Sequence, residues 1–335
     1  MQPAIYGLAG ESLSEAEKSF FRSADPAGYI LFRRNCVDRE QLRALTDDLR
    51  AIHGRGDLPI LIDQEGGRVA RMRPPAWPEF PKAERFAALY RTAPMTAIEA
   101  TRANAAALAA LLREAGINVD CLPLLDVRQP GATDIIGDRA LGSEPMQVAA
   151  LGRAVLDGLR QGGVVGVIKH MPGHGRALVD SHHQLPVVDA GEEALEIDLE
   201  PFITLRNAPM GMTAHVVYTA WDEDLPASLS PIVIEAIIRG RIGFDGLLMS
   251  DDLGMSALSG GFDLRAGGAL AAGCDLALHC SGDMAEMESV ASAVGEIKEK
   301  SRERLARAMA TIAEAEEGEP YEALAAKRDA LLARA

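Results

Sequence analysis

The chain has 335 residues, 48% of them hydrophobic and 25% charged, with a formal net charge of −15. That is ordinary globular composition, and an acidic surface repels phosphate backbones and anionic headgroups, which argues against nucleic-acid and membrane partners. The opening stretch MQPAIYGLAGESLSEAEKSFF lacks the basic region and unbroken apolar run of a signal peptide, and no later run reaches membrane-spanning length, so a cytoplasmic protein is expected.

Eight short apolar runs recur along the chain: AIYGL at 4–8, GYILF at 28–32, PILID at 59–63, INVDCLP at 117–123, VVGVIKH at 164–170, MGMTAH at 210–215, GLLMSD at 246–251 and CDLALHC at 274–280. Ala/Leu-rich or amphipathic segments separate them, so strands alternate with helices, the signature of parallel strands joined by crossover helices. Eight such units predict an α/β fold of the closed (β/α)8 barrel type, with a doubly wound open sheet as the alternative. No linker divides the chain, so 1–335 reads as one domain, the charged stretch from Met284 forming the last barrel helix and a C-terminal extension. Local punctuation supports three boundaries. Asp189 with Glu192 reads as a capping box opening a helix over 190–206, Ser230-Pro231 as a cap with proline at the first helical position, and Gly116 as a left-handed helix end. Cys36, Cys121, Cys274 and Cys280 form no C-x-x-C pair, and the last two would lie about 20 Å apart on one strand, so reduced thiols are expected.

Barrel enzymes carry their chemistry at the C-terminal ends of the strands. Here those ends supply Asp63, Asp126, Lys169, His170, His215, Asp251, Asp252 and His279. Any one of these serves equally well as a capping or solvated side chain, but together on one rim they outline a pocket. The loop after the fifth strand, within KHMPGHGRALVDSHHQLP at 169–186, holds four of the seven histidines. It is long for a connection inside a compact domain, and Gly173 and Gly175 give it hinge freedom. A metal site would draw on His170, His174, His182 and His183, but Pro172 and Gly173 break the spacing that stacks two ligands on a helix face. A purely structural role is a strained account of so many imidazoles. An acid/base role suits their proton affinity, with Asp180 fixing the tautomer of His182 two residues on.

LIDQEGGRVARM at 61–72, IGDRALGSEP at 136–145, KHMPGHGRALVDSHHQLP at 169–186 and FDGLLMSDDLGM at 244–255 together resemble the single-domain bacterial β-N-acetylglucosaminidases of glycoside hydrolase family three. DPAGYILFRRNCVDREQLRALTDDLR at 25–50 is similar to that family as well, so the likeness spans about residues 7–282. The resemblance implies a (β/α)8 barrel and a retaining hydrolase that removes non-reducing terminal N-acetylglucosamine without a cofactor or metal. It places the nucleophile at Asp251, an acid/base pair at His182 and Asp180, and substrate contacts at Asp63, Arg139, Lys169 and His170. It further implies a muropeptide or disaccharide substrate from cell-wall recycling, cytoplasmic location and a monomer. Rival readings are a metal-dependent barrel hydrolase, a non-catalytic sugar-binding barrel and phosphorolysis in place of hydrolysis. The chain departs from the family at Arg176 and Ala177, where an Asp-Thr pair is common, at Met171, commonly Phe, and at Gly254, commonly Ser. Adjacent Asp251 and Asp252 would point to opposite sides of an extended strand, so only one should face the barrel mouth.

Overall fold

The computed structural model describes every residue except Thr133, His182, His183, 314–317 and 334–335. Strands run in chain order as β1 (Gln2–Gly7), β2 (Pro26–Leu31), β3 (Ile60–Ile62), β4 (Val119–Asp120), β5 (Val165–Met171), β6 (Val187–Val188), β7 (Met210–Thr213), β8 (Val217–Tyr218), β9 (Leu247–Met249) and β10 (Ala277–His279). All but β6 and β8 form one parallel sheet in the order β10-β1-β2-β3-β4-β5-β7-β9. A parallel bridge from Met249 to Leu276 joins its two edges and closes the barrel. The eight apolar runs are therefore the eight barrel strands.

Side chains alternate along the strands with a period of two, as the pleat requires. Ile5, Ile30, Leu61, Val119, Val165, Val167, Met210, Leu247 and Leu278 pack together in one cluster, whereas Tyr6, Tyr29, Leu31, Ile60, Ile62, Ile168 and Leu248 belong to a second with the helices. Each fully buried Leu or Ile contributes roughly 2 kcal/mol of hydrophobic stabilisation.

The helices are α1 (Glu15–Ala24), α2 (Arg39–His53), α3 (Ala83–Thr92), α4 (Pro94–Glu114), α5 (Pro145–Gln161), α6 (Glu192–Thr204), a π-helix Val233–Arg241, α7 (Phe262–Ala272), α8 (Met284–Val294), α9 (Glu299–Ala310) and α10 (Tyr321–Leu332). Ser14 opens α1 with a reciprocal capping box to Glu17. Gly116 takes φ +75 after α4, as expected of a left-handed helix end, and a Cβ there would meet Thr46 Oγ1 at 2.3 Å. Ser230 Oγ accepts from Val233 N at 3.1 Å, the predicted cap, although the segment it opens winds as a π-helix. The capping box at Asp189 does not form. Gly191 precedes α6, and the β6–β8 ladder carries Asp189 beside Thr219, whose hydroxyl it accepts at 2.9 Å. All four cysteines are free and buried.

The loop after β5 is pinned at both ends by one residue. Tyr218 pairs through its backbone with Val188, and its hydroxyl donates to Gly173 O at 2.8 Å.

Candidate active site

A cavity of about 230 Å³ opens at the C-terminal mouth of the barrel, bordered by Asp63, Glu65, Arg71, Arg139, Lys169 and Asp251 among others. One wall is a charge network. Lys169 enters from β5 with its side chain 2% exposed, and its Nζ lies 2.9 Å from Asp63 Oδ1 and 2.8 Å from Glu65 Oε1. Arg139, on the short 3₁₀ turn Gly137–Arg139, forks onto both oxygens of Glu65 at 2.8 Å. Arg71 donates to Asp63 Oδ2 at 3.1 Å, and its guanidinium sits 5.0 Å over the Phe32 ring. Cations and carboxylates thus neutralise each other where neither could be buried alone. Burial alone would raise the carboxyls of Asp63 and Glu65, but Lys169 with Arg71, and Arg139 with Lys169, hold them far below the ordinary range, Glu65 at about 2. Burial would likewise lower Lys169, and Asp63 and Glu65 outweigh it, so the ammonium stays charged. The loop carrying Arg71 is folded by Gln64, whose Oε1 accepts from Arg71 N at 2.7 Å and Met72 N at 3.0 Å.

A second wall is imidazole. His170 follows Lys169, and its Nδ1 lies 2.8 Å from Asp126 Oδ2, while Asp126 Oδ1 accepts from the backbone N of His170 at 3.2 Å and of His174 at 2.7 Å. Fully buried Asp126 would be pushed up by its surroundings, but His170 and His174 bring it to about 2. It is ionised and accepts a hydrogen bond from His170 Nδ1–H, which leaves Nε2 free of that contact. His174 also borders the cavity; burial, then His170, lowers it to about 4, so it is neutral at physiological pH.

Asp251 borders the same cavity. Burial would raise its carboxyl, but His170 and His215, the amide of Asp252 at 2.8 Å and Lys169 keep it below the ordinary value. Asp252 also borders the cavity, contrary to the alternation expected of a strand. The reason is that β9 ends at Met249, so both aspartates lie in the turn beyond it. Their partners distinguish them: Asp252 Oδ1 is tied to the amides of Gly254 at 2.9 Å and Cys280 at 3.1 Å. His215 is committed to Ser228 Oγ at 2.6 Å and Asp252 O at 3.0 Å, and His279 to Ser281 and Glu286, so neither strand-end histidine projects free into the cavity.

Of the residues expected from sequence, the cavity brings together Asp63, Arg139, Lys169, His170 and Asp251. His182 lies outside the described residues. Asp180 precedes buried Ser181, which borders the cavity and whose carbonyl accepts from Ala257 N at 3.2 Å. The loop after β5 therefore touches the loop that carries Asp251. Glu65 and Arg71 were not among the expected site residues. Both lie in the LIDQEGGRVARM block at 61–72, two and eight residues past the strand-end Asp63. Of the histidines proposed as metal ligands, His170 has Nδ1 committed to Asp126, and no group of three or more His, Cys, Asp or Glu among the described residues could hold a metal ion.

Comparison with known proteins places the chain in a family. The N-terminal domain of glycosyl hydrolase family 3 matches residues 7–315. A β-hexosaminidase of Bordetella avium is 38% identical over 284 residues, covering 83% of this chain and 80% of the relative. One of Alkalilimnicola ehrlichii is 40% identical over 284 residues, with the same coverage of 83% and 80%. Among solved structures, NagZ from Neisseria gonorrhoeae in complex with N-trifluoroacetyl-D-glucosamine superposes with a TM-score of 0.88 at 31% identity, covering 99% of this chain and 98% of that one.

Proposed function

The chain belongs to glycosyl hydrolase family 3 and is a glycoside hydrolase of the β-hexosaminidase kind, and from that premise we propose that it removes non-reducing terminal N-acetylglucosamine from anhydro-muropeptides during cytoplasmic cell-wall recycling. The observation that carries the reading is the cavity itself. At about 230 Å³ it has room for one sugar with its substituent, one wall offers the Asp63–Lys169–Glu65–Arg139 network, and an ionised Asp251 stands on its border. Such a site takes the end of a chain and not its middle.

Asp251 attacks the anomeric carbon as the glycosidic C–O bond breaks, and His182, oriented by Asp180, gives its proton to the departing oxygen. In the second half His182 takes a proton from water, the water oxygen attacks the anomeric carbon, and Asp251 is released. A low proton affinity keeps Asp251 nucleophilic, while an imidazole needs less tuning than a second carboxylic acid would. Lys169, Arg139, Arg71 and Asp63 supply donors and acceptors for sugar hydroxyls, and the Asp126-oriented Nε2 of His170 supplies one more.

The test is hydrolysis of 4-nitrophenyl N-acetyl-β-glucosaminide by wild type and Asp251→Ala, each with and without chelator. Turnover that ignores the chelator and vanishes in the variant supports the reading. Full activity in Asp251→Ala removes the nucleophile assignment, and chelator-sensitive turnover replaces it with a metal-dependent hydrolase.

A further inference from the structure

Arg176, where the chain departs from the family pattern, lies between His174 and Asp180 in the loop after β5. Its Nε donates to Asp198 Oδ2 and its NH2 to Ala194 O at 2.6 Å, both on α6. Asp198 is 2% exposed, and among the described residues Arg176 is its only hydrogen-bonding partner, since Asp198 Oδ1 is buried with none.

The limb of the loop around Arg176 is held on two sides. Gly173, with φ +137, runs so close to α6 that a Cβ would lie 2.9 Å from Asp198 Cβ. On the other side Gly175 O accepts from Gln129 N at 3.2 Å, and a Cβ at Gly175 would strike Val127 O at 1.9 Å. Ala177 is fully buried, and at Leu178, 69% exposed, the chain leaves the surface. Arg176 is thus the last charged side chain before Asp180 along this limb.

We propose that Arg176 and Asp198 are a positioning pair for the acid/base step, fixing on α6 the limb from which Asp180 and His182 are presented to the departing oxygen. The pair touches neither substrate nor reacting atoms. This rests on the assignment of His182 as the acid/base, so the experiment separates the two.

kcat/KM is measured for an unactivated disaccharide, chitobiose, and for 4-nitrophenyl N-acetyl-β-glucosaminide, which needs little protonation to depart. The enzymes are wild type, Arg176→Ala, Arg176→Lys, His182→Ala and Arg176→Ala/His182→Ala, each with its thermal midpoint. Arg176→Ala is expected to lower kcat/KM on chitobiose at least tenfold and on the aryl glycoside less than threefold. Arg176→Lys, which keeps the charge but not the fork, should recover part of the loss, and the double variant should be no slower on chitobiose than His182→Ala. Equal losses on the two substrates, no loss on either, or losses that multiply in the double variant overturn the positioning role. Should Arg176→Ala not fold, the substrate split of Arg176→Lys decides in the same way. A His182→Ala variant that loses equally on both substrates instead sinks the acid/base assignment, whatever Arg176 does.

Discussion

Glu65→Gln removes the carboxylate that binds two cations at once, with little change of volume. Glu65 is held at about 2 against an ordinary 4.5, in a side chain only 5% exposed, so solvent screens little of the interaction. At about 1.4 kcal/mol for each tenfold change in proton affinity, the charge contributes about 3 kcal/mol to folding at neutral pH. Truncating one partner of a buried ion pair costs a similar amount, because the other charge is stranded. For a chain of this length, about 2 °C per kcal/mol gives a fall of about 6 °C in the thermal midpoint. The sign with pH follows from the lowered proton affinity of the folded state. The contribution is fully present above 4.5 and is lost as pH falls towards 2. The assay is thermal or denaturant unfolding of wild type and Glu65→Gln at several pH values from 7 down to 3, where the difference between the two isolates Glu65 from the other carboxylates. The gap should narrow steadily below 4.5. A gap that is constant across that range, or absent at pH 7, would refute the electrostatic account.

Asp126→Asn should lower kcat/KM on the aryl glycoside roughly 10- to 100-fold, the worth of one buried hydrogen bond to a charged group, since His170 loses the acceptor that sets its tautomer; unaltered kinetics would show that His170 needs no such partner. Asp251→Ala should cost on the order of 10⁴-fold or more in kcat while leaving N-acetylglucosamine binding measurable by calorimetry, and loss of binding with retained turnover would contradict its role. His174, at about 4, should remain neutral by imidazole NMR from pH 8 to pH 5, and its contribution to stability, present above 6.5, should fade as pH falls towards 4; a midpoint above 6 would contradict the burial argument.

The barrel was legible in the sequence because each strand is a short apolar run, several of them ending in a polar residue, as at Ile62–Asp63 and Ile168–Lys169. Local pattern suffices for such elements. It failed where a distant partner outbid a near one: Asp189 looks like a cap for α6, yet the β6–β8 ladder delivers Thr219 to it. The π-helix was invisible for a related reason, since the hydrophobic pattern of Val233–Arg241 marks a buried face and does not distinguish the wider turn. At the site, Asp63, Lys169 and His170 stood at strand ends and could be read directly. Glu65 and Arg71 belong to a turn, and bonds such as those of Gln64 to Arg71 and Met72, invisible in the sequence, fold it back across the barrel mouth. Asp251 and Asp252 were indistinguishable by periodicity, and their hydrogen-bond partners tell them apart.

The single tyrosine that fastens both ends of the loop after β5 sets a boundary between what can drift and what cannot. With Gly173 and Val188 both held by Tyr218, the entropy of bringing the loop ends together is already met by the scaffold. Doubling the length of such a closed loop costs only about 0.6 kcal/mol more. Insertions at exposed positions of that stretch, as at Leu178, are therefore expected to cost folding little, whereas Gly175, Arg176 and Ala177 are packed against Val127 and α6 and do not share that freedom. Under the proposed mechanism, changes at that exposed stretch alter the surroundings of the departing group and leave the barrel strands as they are.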